Sequence, residues 1–213
     1  LFPDYKSGRV GKHNLKRDEF SSHEEEEASK RKQMMRIIQY LSQMPVQIFC
    51  LDNVEADDVI AYLTMQYFHN KNSKVRIVST DRDFLQLVSD DVEVYSPVKK
   101  KLYKPETITE EFGIHPDNFL LFRMVSGDMS DSIPGVQGVG LKTLLKSFPE
   151  ISDSPLTFEY LLKESQVRSQ EKKHSKVYDS FLNHKDDLDR NYNLMQLNET
   201  DILKYLIQEL PEY

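Results

Sequence analysis

The feature that most constrains the fold is an alternation of short apolar runs with segments of helical periodicity in the first half of the chain. Val46–Leu51 predicts a buried strand, and apolar residues recur every three or four positions over Glu55–His69, which predicts a helix. Val75–Ser79 predicts a second strand, and two β-rich segments flanking Pro97 predict a hairpin. This order of elements predicts an α/β fold in which helices flank a parallel sheet.

Helical patterns dominate the rest of the chain. We predict a charge-rich helix over Ser22–Leu41, and we divide the chain into an α/β domain over residues 1–115 and a helical region over 116–213. A basic stretch in the second part is better explained as a solvated helix face than as a binding site. It comprises Lys163, Arg168, Lys172, Lys173 and Lys176.

Composition excludes several classes of protein. Charged residues make up 30% of the 213 residues, and no apolar run approaches the roughly 18 residues that span a bilayer. The single cysteine, Cys50, excludes a disulfide framework and a cysteine zinc site, and we expect it to be inert and buried. The net charge of −7 at first argues against a nucleic-acid partner.

Three acidic clusters carry the main chemical signal. They are Glu55, Asp57 and Asp58, then Asp81 and Asp83, and finally Asp128 and Asp131. Taken alone, the first cluster is better explained by the preference of acids for a helix N-terminus. The second could equally be a turn and a helix cap, and the third could be solvated.

Their conjunction is more informative than any single cluster. The first two clusters follow predicted strands, where open parallel sheets bind ligands, so we expect the three clusters to converge on one sheet edge. So many carboxylates repel one another unless cations compensate them, and Mg²⁺ or Mn²⁺ prefers such ligands. Two ions about 4 Å apart can support phosphodiester hydrolysis. Without the seven acids of these clusters, the net charge of −7 becomes zero. The rest of the surface is then balanced in charge, and its basic patches can bind phosphates.

A glycine-rich loop follows the third cluster. Gly135, Gly138 and Gly140 precede a predicted helix over Leu141–Phe148. Backbone N–H groups at such a loop can hold a phosphate without reading bases, and Lys142 adds positive charge. Glycines are common in tight turns, so the loop becomes informative through its position next to Asp131.

Three ordered motifs together resemble the 5′-nuclease superfamily, which includes flap endonucleases, phage 5′–3′ exonucleases and the 5′-nuclease domain of bacterial DNA polymerase I. These motifs are Glu55–Asp58, Ser79–Phe84 and Gly127–Gly140, and the resemblance covers residues 1 to about 150. It implies a PIN-like α/β fold with a helical arch over about residues 6–40 and a helix–three-turn–helix. The bacterial and phage branch is the closer match.

The resemblance also implies roles for individual residues. All seven acids of the three clusters would hold two or more Mg²⁺ ions, for which Mn²⁺ could substitute, and Lys6 and Arg9 would contact the scissile phosphate. A potassium ion would bind backbone carbonyls of Val125, Ser126, Pro134, Val136 and Val139. DNA would contact Tyr5, Gly138, Val139, Gly140, Leu141, Lys142 and Thr143. Leu141 replaces the usual proline.

The family pattern is incomplete at the front of the chain. Family members have an N-terminal strand and an upstream loop, each with a metal-binding aspartate, whereas this sequence starts at Leu1. We expect that an upstream segment belongs to the protein, because all seven downstream acids are intact. The competing explanation is a degenerate relative that binds DNA without cleaving it.

The resemblance implies a monomeric nuclease in the cytoplasm of a bacterial or phage-infected cell. We predict a metal-dependent 5′–3′ exonuclease and flap endonuclease that acts in replication or repair on 5′ flaps, forks and duplex ends. The alternatives are a module that binds branched DNA without cleaving it and a nuclease of the same fold that removes RNA primers from RNA–DNA hybrids.

Overall fold

A three-stranded sheet lies at the centre of the α/β part. The computed structural model describes residues 20–51, 54–68, 73–171 and 176–197. The strands are β1 (Val75–Val78), β2 (Val92–Ser96) and β3 (Lys101–Tyr103), in that spatial order. β1 pairs parallel with β2, and β2 pairs antiparallel with β3. The predicted strand after residue 74 and the predicted hairpin are therefore confirmed.

Helices supply most of the remaining structure. The α-helices of the described residues are α1 (His23–Leu41), α2 (Ala56–Tyr62), α3 (Pro105–Phe112), α4 (Phe119–Ser126), α5 (Leu141–Ser147), α6 (Phe158–Ser169), α7 (Lys176–Asn183) and α8 (Lys185–Met195). A π-helical turn (Leu63–Phe68) extends α2, and 3₁₀ helices span Asp83–Leu87, Pro116–Asn118 and Pro149–Ser152. Between α4 and α5, the short strands β4 (Gly127–Asp128) and β5 (Ile133–Pro134) pair antiparallel.

One hydrophobic core runs from the sheet into the C-terminal helices. Ile77 on β1 and Phe84 after it belong to the same buried cluster as Leu144, Phe181 and Leu188. This core continues across residue 115, where we predicted a domain division, and that division stays a prediction. The core places the turns after β1 and after α4 side by side.

The predicted strand over Val46–Leu51 is wrong. The structure gives this segment no regular secondary structure, and Val46 and Ile48 are about half exposed, at 46% and 47%. Cys50 is exposed as well, which also contradicts its predicted burial. A strand needs a neighbour for its backbone hydrogen bonds, and within the described ranges no strand lies beside this segment.

The predicted helix from Ser22 to Leu41 is confirmed. Ser22 is the N-cap of α1, and its Oγ accepts a hydrogen bond from Glu25 N at 3.2 Å. The apolar stripe of this helix is exposed, including Met35 at 63%. None of the described helices combines the length and apolar character required to cross a membrane.

Arg168 departs from the solvated helix face that we predicted for the basic stretch. Its side chain is only 19% exposed and donates to Ser147 O at 2.7 Å, to Glu150 Oε1 at 2.6 Å and to Glu164 Oε2 at 3.0 Å. The guanidinium also lies 5.6 Å from the centre of the Phe148 ring. These contacts fasten α6 to the end of α5, so Arg168 has a structural role.

Replacing Arg168 with methionine is expected to lower stability by about 2 kcal/mol, because three charge-assisted hydrogen bonds are lost while the apolar stem remains. For a chain of this size, this corresponds to a decrease of about 4–8 °C in Tm. Thermal unfolding monitored by circular dichroism measures it. The exposed Lys163 on the same helix is the matched control. Equal shifts for Lys163→Met and Arg168→Met would contradict the structural role.

Candidate metal centre

Arg123 links the second and third acidic clusters. Its side chain, on α4, is only 10% exposed, with Nε donating to Asp83 Oδ1 at 2.6 Å and Nη2 donating to Asp128 Oδ2 at 2.5 Å. One guanidinium therefore holds carboxylates that are 45 positions apart in the sequence. Arg123 belongs to none of the predicted sites, although a lone charge within the apolar run Phe119–Val125 was a usable signal.

The turn after β1 positions Asp83. Asp81 Oδ1 accepts a hydrogen bond from Asp83 N at 2.9 Å, and Ser79 Oγ accepts one from Asp81 N at 3.1 Å. Asp81 thus acts as a turn residue, which was the alternative explanation for its place in the sequence. Its side chain is exposed. Asp83 begins the 3₁₀ helix with its side chain only 21% exposed. The turn therefore aims Asp83 towards Arg123.

The loop between β4 and β5 positions the third cluster. Asp128 Oδ1 accepts hydrogen bonds from Ser130 N at 2.7 Å and from Ser130 Oγ at 2.6 Å. Ser132 has a positive φ of 61°, which closes the loop tightly. Asp131 is buried, at 9% exposure. Asp128 is consequently fixed at one oxygen by its own loop and at the other by Arg123.

Burial and the shared guanidinium shift the ionisation of these groups in opposite directions. Burial raises the pKa of Asp83, and Arg123 offsets only part of this effect. Burial also acts to raise the pKa of Asp128, but hydrogen bonds from Ser130 and Arg123 outweigh it, so this pKa is lowered. Burial disfavours the charge of Arg123, whereas the two carboxylates raise its pKa above the usual value. Hydrogen bonding and charge pairing therefore outweigh burial at Asp128 but not at Asp83.

The first acidic cluster lies at the start of α2. Glu55 is the exposed N-cap of this helix, without a side-chain capping bond, and Asp57 and Asp58 lie half-buried in its first turn. The helix packs against the 3₁₀ helix that begins with Asp83. Acids at these positions are also favoured by the helix dipole.

The described residues do not bring three possible ligands together at one point. Within these ranges, no group of three or more His, Cys, Asp or Glu side chains lies close enough to hold a metal ion. The structure does bring Asp83 and Asp128 to one guanidinium. Their donors are carboxylate oxygens, which are the ligands that Mg²⁺ and Mn²⁺ prefer, so the donor chemistry fits. Convergence of all three clusters stays a prediction.

Two glycines make the connection between α4 and α5 possible. Gly127 has φ +69°, and a Cβ atom there would lie 2.3 Å from Gly135 N. A Cβ atom on Gly135 would lie 2.4 Å from the backbone of Ser126. The backbone at Gly127 and the backbone at Gly135 are therefore in direct contact. A side chain at either glycine would push them apart.

The outer face of the same loop is open. A Cβ atom on Gly138 or on Gly140 would meet no atom within 4 Å. Lys142 is exposed in the first turn of α5. Gly138, Gly140 and Lys142 are thus accessible to a phosphate. Val139, which was also predicted to contact DNA, is buried, at 5% exposure.

Three of the five backbone carbonyls predicted to hold potassium already accept protein hydrogen bonds. Val125 O accepts from Val136 N at 2.8 Å, and Val136 O accepts from Val139 N at 3.0 Å. Pro134 O accepts from Asn191 Nδ2 at 2.8 Å. Each carbonyl has a second lone pair, so these bonds leave the potassium prediction open. The predicted DNA contacts Tyr5, Lys6 and Arg9 lie outside the described residues.

Arg123→Met is expected to destabilise the protein by about 2–3 kcal/mol at pH 7, because two carboxylates lose their shared cation. The lowered pKa of Asp128 contributes stability above the ordinary carboxylate pKa, and this contribution disappears as pH falls. The difference in Tm between wild type and variant should therefore narrow below about pH 4. Arg82→Met, at an exposed neighbour, is the control. A difference in Tm independent of pH would contradict the ion-pair role.

Comparisons with known proteins agree with the sequence motifs. The family model described as "5′-3′ exonuclease, N-terminal resolvase-like domain" matches residues 1–113. A 5′–3′ exonuclease of Buchnera aphidicola is 36% identical over 124 residues, which cover 57% of this chain and 43% of the relative. One from Aquifex aeolicus is 40% identical over 106 residues, 48% of this chain and 36% of that protein.

Longer relatives and solved structures are also similar. The thermostable DNA polymerase I of Thermus thermophilus is 45% identical over 96 residues, 45% of this chain and 11% of the polymerase. This chain thus aligns with less than half the length of these curated relatives. The bacteriophage T5 flap endonuclease, in a pseudo-enzyme–product complex with DNA and metal ions, aligns with TM-score 0.69 and 23% identity over 95% of this chain and 70% of that chain. This likeness supports the fold.

Proposed function

Because the chain belongs to the 5′–3′ exonuclease family, whose N-terminal domain model matches more than half of its residues, we propose that it cleaves phosphodiester bonds of 5′-ended or branched DNA. Its role would be in replication or repair, with 5′ flaps and forks as substrates. The observation that carries this proposal is the pair of carboxylates, Asp83 and Asp128, held by Arg123 beside the glycine loop.

The metal-binding role is proposed for all three acidic clusters, with Mg²⁺ as the ion and Mn²⁺ as its substitute. Divalent ions bound there would supply the Lewis acidity for phosphodiester hydrolysis. Asp83 and Asp128 would bind and orient them. Arg123 would keep the two carboxylates at a fixed separation, which limits the reorganisation needed when ions bind. Lys6 and Arg9 would contact the scissile phosphate.

DNA binding is proposed for the loop between α4 and α5. The open face at Gly138 and Gly140 lets a sugar–phosphate backbone approach closely, and Lys142 supplies a cation. No base is read there, so affinity should depend on DNA structure and salt rather than on sequence. A potassium ion at the carbonyls of this loop is part of the same proposal.

A cleavage assay on a 5′-labelled flap duplex tests the proposed function. We expect release of the flap near its junction in Mg²⁺, with a 5′-phosphate left on the duplex product, and no product in EDTA. Metal-independent cleavage would contradict the proposal.

A DNA-binding module without cleavage is the second candidate. It is favoured by one observation, the absence of a three-ligand group within the described ranges. Flap binding in EDTA without any product in Mg²⁺ or Mn²⁺ would support it. Supplying an upstream segment and repeating the assay would then show whether additional ligands restore cleavage.

A further inference from the structure

The C-terminal helix α8 contacts both the turn that carries Asp83 and the loop that carries Asp128. This helix and the two residues after it lie beyond residues 1–113, which the family model matches. Two polar side chains make the contacts, Gln86 after β1 and Asn191 on α8.

Gln86 ties the turn that carries Asp83 to the end of α8. Its Nε2 donates to Asp83 O and to Met195 O, both at 2.9 Å. Its Oε1 accepts from Leu197 N at 3.0 Å. One half-buried amide therefore joins the backbone of Asp83 to the backbone at the end of α8.

Asn191 ties the middle of α8 to the loop that carries Asp128 and Asp131. It is 1% exposed, and its Nδ2 donates to Met124 O at 3.1 Å and to Pro134 O at 2.8 Å. These carbonyls flank the loop on its two sides. A buried amide is costly unless it is hydrogen-bonded, and these bonds offset that cost only when the loop keeps this geometry.

Apolar packing reinforces the same contact. Met195 on α8, Ile133 on β5 and Leu120 on α4 form one small buried cluster. The apolar side chains hold α8 against this region, but apolar contacts are non-directional. The directional bonds of the two amides fix the register of the turns on the helix.

We propose that α8 sets the relative position of the Asp83 turn and the Asp128–Asp131 loop, and that Gln86 and Asn191 are positioning residues for the metal centre. This inference depends on the proposed function, in which these acids bind divalent ions. Groups that orient metal ligands typically change metal affinity about 10- to 100-fold when they are removed. Neither amide would touch the ions or the DNA.

Asn191→Leu tests the proposal, because leucine has the same number and branching of side-chain heavy atoms but no N–H donor. Asn193→Leu is the matched control. Asn193 lies on the same helix, is exposed, and donates only within it, to Asp189 O at 2.9 Å and to Asp189 Oδ2 at 3.3 Å. Calorimetric titration of the full chain with Mn²⁺, without DNA, is the primary measurement. We expect about tenfold weaker binding for Asn191→Leu and wild-type binding for Asn193→Leu.

Two further measurements separate positioning from simple loss of stability. Circular dichroism gives Tm, and the Mg²⁺ concentration for half-maximal flap cleavage gives the metal requirement. Positioning predicts a raised Mg²⁺ requirement at a temperature where the variant is fully folded, with unchanged flap affinity in EDTA. A folded Asn191→Leu variant with wild-type Mn²⁺ affinity and wild-type Mg²⁺ requirement would overturn the proposal.

Gln86→Met provides a second route to the same answer. If Asn191→Leu does not fold, Gln86→Met carries the test, with the same expected weakening and the same contradicting result. Mn²⁺ titration needs no turnover, so it tests the inference even if the wild-type chain cleaves nothing. If the proposed function is wrong, the wild-type chain gives no cleavage product. If the inference is wrong, the folded variants bind Mn²⁺ with the affinity of the wild type. A wild-type chain that takes up no Mn²⁺ would overturn the inference as well.

Discussion

Asp83→Asn is expected to reduce flap cleavage by about a hundredfold or more while flap binding is retained, because the variant loses a proposed metal ligand. Asparagine keeps the size of the side chain, and its amide oxygen can still accept from Arg123 Nε. The removed carboxylate has a raised pKa in the folded protein, so its ionisation lowers stability at neutral pH. Tm at pH 7 should therefore be unchanged or higher.

The experiment requires both a cleavage and a binding measurement. Initial rates on a flap duplex in Mg²⁺ are compared with Kd for the same duplex in EDTA. Asp90→Asn is the matched control, since it removes the same charge from an exposed position three residues past the 3₁₀ helix. Equal losses of cleavage and binding in Asp83→Asn, or equal losses of cleavage in both variants, would show that Asp83 has no metal-binding role.

Gly127→Ala is expected to destabilise the protein by about 3 kcal/mol or more. The backbone at φ +69° and ψ −177° is strained for any residue with a side chain, and the added Cβ atom would lie 2.3 Å from Gly135 N. The neighbouring atoms belong to the backbone of residues 133–135, which cannot move aside as the end of a flexible side chain could. For a chain of this size, the decrease in Tm should be about 10 °C.

Gly140→Ala separates this structural requirement from DNA binding. Gly140 has an ordinary φ of −96°, and a Cβ atom there would meet nothing within 4 Å. Its Tm should stay near that of wild type, whereas flap affinity should fall if a phosphate approaches this glycine. Thermal unfolding and Kd in EDTA measure the two effects. A Gly140→Ala variant that loses as much Tm as Gly127→Ala would contradict the assignment of separate roles.

Local periodicity predicted most of the helices and strands. The helix over 22–41 and the hairpin near Pro97 depend on short-range patterns, and the structure confirms them. The segment over 46–51 has an equally apolar pattern, but it forms no strand in the described part of the chain. The difference is physical, because a helix satisfies its own backbone hydrogen bonds whereas a strand depends on a partner.

The types of charged residue in the candidate site were predicted more completely than the contacts between them. The acidic residues and the glycine loop were identified from residue type and spacing. Arg123 was missed, because one arginine in an apolar helix does not reveal its partners. The Arg123–Asp83 bond joins residues 40 positions apart, and no local pattern reports such a contact.

The sequence by itself determined most elements of the fold, the residue types of the candidate site and the family. Tertiary structure alone decided that Asp83 and Asp128 share one guanidinium and that α8 contacts both of their turns. The Gln86–Met195 contact spans 109 positions. Periodicity depends on neighbours within a few residues, whereas these contacts exist only after a common core has brought distant segments together.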